Sequence, residues 1–81
     1  MTFLELFASA YLTPQEISTE AGISLEIVYR ARNGQTIREW DARRLVRAIN
    51  SRRETPVTVY ELPRTQIIWE ESLSAGAPGL E

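Results

Sequence analysis

Glu26, Tyr29, Arg30 and Asn33 fall within one stretch, Ser24 to Asn33, at spacings that gather hydrogen-bonding side chains on one side of a short helix. Their chemistry is that of recognition rather than reaction. With Ile27, Val28 and Ala31 turned inward, Ser24, Leu25, Glu26, Tyr29, Arg30 and Asn33 are expected outward or on the rims. In a DNA major groove an arginine such as Arg30 takes guanine O6 and N7 together. A carboxylate such as Glu26 accepts from cytosine N4 or orients Arg30 one turn on, and Leu25 meets a thymine methyl. Tyr29 and Asn33 suit phosphates or base edges. The Glu26–Arg30 spacing is equally that of a plain surface ion pair, worth a few tenths of a kcal/mol.

Such a helix has to be held by a neighbour, and the residues before it supply one. Thr13 is a good N-cap, Pro14 suits the first helical position, and Glu16 stands where its carboxylate reaches back to the Thr13 amide. That helix runs through Ile17 to Ala21 and meets Gly22, which closes a helix in the left-handed conformation without a Cβ penalty. Ser24 then caps the next helix, and Asn33-Gly34 ends it. Two helices joined by so short a turn cross steeply, leaving one face of the second free to enter a groove.

Further helices flank this pair. Phe3, Leu4, Leu6, Phe7, Ala10 and Tyr11 recur at helical spacing after Thr2, which predicts a first helix of about two to three turns. Thr36 and Glu39 form another T-x-x-E pattern, predicting a fourth helix to about Ser51 with Ile37, Trp40, Leu45, Val46 and Ile49 buried. Trp40 reads as a core anchor, and Arg43, Arg44 and Arg47 as a solvated face. From Thr55 to Glu70 two readings compete. VTVYEL and TQIIWE could form a hairpin. Alternatively Thr58 and Glu61 start a single turn that Pro63 stops, followed by an extended stretch, and this second reading is the favoured one. The end, SLSAGAPGLE, is too poor in apolar residues to offset its ordering entropy and is expected to be a mobile tail.

Composition narrows the function. The chain has 81 residues, no cysteine and no histidine, so disulfides, thiolate or imidazole catalysis and the usual zinc sites are excluded. Glu16, Glu39 and Glu61 are accounted for by capping, and no nucleophile, glycine-rich phosphate loop or metal cluster accompanies the other carboxylates. An enzyme is therefore not expected, and no cofactor is implied. Apolar runs are too short for a membrane helix and no signal peptide is legible, so no membrane contact and a cytoplasmic location are expected. The net charge is -2, yet up to Arg53 eight arginines face six carboxylates, while beyond it one arginine faces five. The local field decides whether a phosphate backbone approaches.

By pattern, the chain resembles the xenobiotic-response-element class of helix-turn-helix proteins, which includes the Cro and repressor DNA-binding domains of temperate phages. The matching parts are Thr13, Ala21-Gly22-Ile23-Ser24, Asn33-Gly34 and the run WDARRLVRAIN, within roughly residues 3 to 51. The family commonly has glutamine directly after the threonine; here Pro14 stands there and Gln15 follows. The resemblance implies a small all-α bundle of four to five helices containing a helix-turn-helix. It implies a bacterial or phage transcriptional regulator that binds double-stranded DNA, with backbone contacts from Thr13, Gln15, Arg32 and Arg38. The resulting division is 1–53 for DNA binding, 54–71 for packing or dimerisation and 72–81 for the tail. Because one recognition helix discriminates too little, a homodimer through Val57, Val59, Ile67, Ile68 and Trp69 is expected. A protein partner on the same scaffold, as for an antitoxin or an accessory subunit, is the competing expectation.

Overall fold

Thr2 and Thr13 open helices by the same device. Each hydroxyl accepts from the amide three residues on, and Glu5 and Glu16 return the favour to the Thr2 and Thr13 amides at 2.8 Å. The bond from the Thr2 amide holds the Glu5 carboxyl below its ordinary pKa. The helices so started are α1, Phe3–Ala10, and α2, Pro14–Ala21, in a computed structural model that describes residues 1–69. Ser24 caps α3, Leu25–Arg32, accepting from the Ile27 amide. A longer helix, α4, spans Glu39–Asn50.

The chain is mostly helical but not all-α. Ile37–Arg38 (β1) and Ile67–Ile68 (β2) pair in parallel, Ile37 opposite Ile67 and Arg38 opposite Ile68. Parallel strands need a long crossover, and here α4 and two 3-10 turns, Val59–Glu61 and Arg64–Gln66, supply it. The hairpin alternative is thereby excluded. The single turn at Val59 followed by extended chain is observed, with a second turn that was not expected.

Burial explains two corrections at the start of α4. The Thr36–Glu39 cap does not form; Arg38 is the N-cap, and its side chain makes no capping hydrogen bond. Ile37 is drawn into the core as an extended residue, and Glu39 is buried, turned toward Arg43 at 2.6 Å. Trp40 is no core anchor, being 54% exposed. At about 100° per residue it lies about 140° from Leu45, whereas Ala42, three residues before Leu45, shares its face. The buried side of α4 is Ala42, Leu45, Val46, Ala48 and Ile49.

One core receives side chains from every helix: Phe3, Leu6 and Phe7 of α1, Ile17 and Ala21 of α2, Val28 and Ala31 of α3, and those of α4. Leu4 and Tyr11, expected on the apolar side of α1, are exposed. Val57, Val59, Leu62 and Ile67 join the same core. The Asn50 side chain pins that return by donating to the Val57 carbonyl at 2.8 Å and accepting from its amide at 3.0 Å. The expected tail from residue 72 lies outside the described residues.

Left-handed backbone ends both α1 and α2, at a tyrosine in one case and a glycine in the other. Gly22, at φ +70°, ends α2, and the amides of Gly22 and Ile23 both donate to the Ser18 carbonyl. A Cβ there would also meet Arg44 Nη1 at 3.0 Å. Tyr11 ends α1 at φ 57° although its side chain is 93% exposed. Gly22→Val is expected to lower the melting temperature through strain and displacement of Arg44. Tyr11→Gly is expected to raise stability by about 1 kcal/mol by releasing the strain of a side chain at positive φ. Denaturant titration of the two variants beside the parent checks both signs.

Candidate nucleic-acid interface

On α3 the two fully buried positions, Val28 and Ala31, fix which way the rest of the helix points. Helical geometry then sets Glu26, Tyr29, Arg30 and Asn33 on the opposite side. Glu26, Tyr29 and Asn33 are exposed there, and Arg30 is half-buried. Ser24 is exposed at the amino end, its hydroxyl oxygen engaged in the cap; Leu25 lies half-buried on the flank. The six expected base-reading residues are thus held by one short, rigid element. Ile27, expected inward, packs half-buried against the core edge.

Arg30 does not pair with Glu26. Its Nη2 donates to the Thr36 carbonyl at 2.7 Å, bridging α3 to the loop that follows. Glu26 makes no hydrogen bond or ion pair among the described residues, so its carboxylate acts as a free acceptor on the outward face. Past Asn33, Gly34 takes φ +82° with open space around a would-be Cβ, and the Gln35 amide donates back to the Arg30 carbonyl at 2.9 Å.

The expected backbone contacts are only partly brought together. Arg32 is exposed, has no bonding partner among the described residues, and shares a shallow hollow with Pro14, Ile17 and the end of α1. It therefore stands beside the amino end of α2, where Thr13 has its oxygen and amide occupied by the capping box. Gln15 lies apart, lining another groove with Thr19, Glu20 and Arg52. Arg38 is exposed at the head of α4.

The residues expected to join two copies are mostly spent inside one. Val57, Val59 and Ile67 are buried in the chain's own core and leave little surface to offer. Ile68 is half exposed, and Trp69 stacks on Tyr60 with ring centroids 5.6 Å apart while its indole N–H donates to the Arg64 carbonyl at 3.0 Å.

Two features escaped the sequence. Gln66 is buried, and its Nε2 donates to the Ala31 carbonyl at 2.8 Å and the Gln35 carbonyl at 3.0 Å, tying the C-terminal segment to the end of α3. Nothing local marks a glutamine for this role. The second is a run of arginines stacked on aromatic rings: Arg44 over Trp40 at 4.6 Å, Arg43 over Tyr60 at 5.7 Å and Arg64 over Trp69 at 5.1 Å. The Tyr60 hydroxyl, and then Glu39, hold the Arg43 guanidinium above its ordinary pKa, so it stays charged. The four-residue spacing of Trp40 and Arg44 was the available signal.

No family model, characterised protein or solved structure matches the chain.

Gln66→Leu keeps the volume but removes both donors from a buried site. It is expected to cost about 1–3 kcal/mol, and hydrogen exchange should show the amides of Gly34 and Gln35 losing protection before those of α1.

Proposed function

We propose that the chain is a helix-turn-helix protein that binds duplex DNA with α3 in the major groove and acts as a small transcriptional regulator in the cytoplasm. The observation that carries this reading is the outward face of α3. There Glu26, Tyr29, Arg30 and Asn33 stand together on a helix braced from behind by α2 across the turn Gly22 to Ser24. A side-chain set combining a bidentate donor, a carboxylate acceptor and an amide can discriminate base pairs by their major-groove edges. The likeness of Thr13, Ala21-Gly22-Ile23-Ser24 and Asn33-Gly34 to the Cro and repressor class supports the same reading.

Affinity from phosphate attraction is modest. Arg30, Arg43, Arg44, Arg52 and Arg53 each donate hydrogen bonds within the chain, and the total charge is negative. Arg32 is the cation best placed to meet a phosphate, being unpartnered among the described residues beside the α2 amino end. Arg30 must exchange the Thr36 carbonyl for a base, a trade of one hydrogen bond for two. Reading two half-sites would supply the missing discrimination, and Ile68 with Trp69 are the members of the C-terminal segment left available for joining two copies.

Selection of bound duplexes from a random pool, followed by titration at several salt concentrations, tests the proposal. Arg30→Ala is expected to cost about 1–3 kcal/mol on the selected site and to relax preference at one position. Arg32→Ala is expected to weaken all sequences alike and to flatten the salt slope by about one ion. A pool that yields no preferred sequence, or equal losses for Arg30→Ala on selected and random duplexes, overturns the base-reading assignment.

A further inference from the structure

The outward side of α4 is not used by the reading face of α3. Trp40, Arg43, Arg44 and Arg47 lie there across successive turns, opposite the buried Ala42, Leu45 and Ile49. Two grooves flank the ridge made by Arg43 and Arg47. One, of about 550 Å³, runs between α4 and the end of α2 and is walled by Ala21, Trp40, Arg44 and Ala48. The other, of about 400 Å³, is walled by Val46, Asn50, Val59 and Tyr60. Each groove thus has an aromatic wall and an arginine rim.

We propose that this face docks an acidic, amphipathic segment of a partner protein. Its carboxylates would meet Arg43 and Arg47, and its apolar side chains would enter the two grooves. Charge argues first. Of the nearby carboxylates, Glu20 is held by Arg52 at 2.5 Å and Glu39 is buried beneath Arg43. Arg47 has no partner among the described residues. Covering Arg47 with a neutral surface would strand a charge, so an occupant that dries this face has to bring its own anion.

The aromatic residues argue for protein rather than phosphate as the source of that anion. Trp40 is 54% exposed, and its ring lies under Arg44, whose Nη1 also donates to the Ala21 carbonyl at 3.3 Å. Tyr60, equally exposed, is held between Arg43 and Trp69. These side chains are ordered before anything binds, so little rotamer entropy remains to be lost. Tryptophan, tyrosine and arginine are also the residues that dominate protein interfaces. A phosphate backbone would satisfy the arginines but leave the apolar groove walls without a counterpart. A second copy is disfavoured because two-fold pairing through this face would set Arg43 and Arg47 against their own equivalents.

The inference stands apart from the DNA reading, since it uses no residue of α3. The probe is a synthetic helical peptide with glutamates on one side and leucines on the other, beside a version in which lysine replaces glutamate. Trp69→Phe leaves Trp40 as the reporting tryptophan in the full chain. The glutamate peptide is expected to bind saturably with a blue shift of Trp40 emission, and the lysine peptide not to bind. Arg47→Glu, read by Trp40 emission, and Trp40→Ala, read by the anisotropy of a dye-labelled peptide, both with the parent's circular dichroism, are expected to weaken binding about tenfold or more and to leave selected-duplex affinity unchanged. No saturable binding of the glutamate peptide, equal binding of both peptides, or undiminished binding by Arg47→Glu overturns the proposal. It is equally overturned if Arg47→Glu weakens duplex binding and random duplex shields Trp40, which assigns the face to DNA, or if Arg47→Glu disperses a dimer, which assigns it to a second copy.

Discussion

The end of α3 is held by a single buried amide. Gln66 Nε2 satisfies the Ala31 carbonyl, one of the carbonyls that a helix leaves without an internal partner, and also the Gln35 carbonyl in the loop beyond. The stake lies chiefly with the donor: the Gln66 amide is itself buried, and a buried amide left without acceptors would cost roughly 1–3 kcal/mol. The constraint also orders the rest of the chain. For Gln66 to arrive there, the segment after α4 must double back, which buries Val57, Val59 and Leu62 and brings Ile67 alongside Ile37. The two-residue sheet is too small to be stable alone; it registers the return against the loop that follows α3.

Much of this fold was legible because its signals are local. The caps at Thr2, Thr13 and Ser24, the glycine at the end of α2 and the Asn33-Gly34 exit each act within a turn of chain, and all are observed. The pattern failed at Thr36, where an apolar residue inside the cap, Ile37, had a non-local partner in Ile67. Burial of a β-branched side chain and a backbone pairing outweighed one hydroxyl cap, which is worth about 1 kcal/mol. Trp40 was misplaced for a different reason: at about 100° per residue it lies about 140° from Leu45 wherever the helix starts, so it cannot share that buried face. The small residue Ala42, three before Leu45, takes the core position instead, and the tryptophan falls to the surface.

The outward set on α3 was legible for the same reason, since helical phase fixes it once Val28 and Ala31 are inside. What the sequence could not reveal is how each cation is spent. Arg30 and Arg43 differ little as letters in a string. One is tethered to a loop carbonyl, however, and the other is sandwiched between a buried carboxylate and a phenol. Glu39 lies only four residues from Arg43, but Thr36 and Tyr60 lie six and seventeen residues from their arginines, and a carbonyl or a distant phenol leaves no mark in a local pattern. The C-terminal segment shows the same limit: Val57, Val59 and Ile67, expected between two copies, lie in the chain's own core, where the Asn50 side chain clamps Val57.

The distribution of charge then separates two kinds of surface on one small scaffold. On α3, Arg30 is bonded to the Thr36 carbonyl, and the net charge of the chain is -2, so little long-range field attracts a distant polyanion. DNA binding by the α3 face, as proposed, would therefore rest on short-range contacts rather than long-range steering. On α4, by contrast, the cations stand over aromatic rings beside apolar grooves. A charge in that setting is worth most when water is excluded, because the attraction strengthens as the local dielectric falls. The first arrangement favours a ligand read edge by edge through hydrogen bonds. The second favours a ligand that brings carboxylate and hydrocarbon together, so the two faces differ in the chemistry of what each can hold.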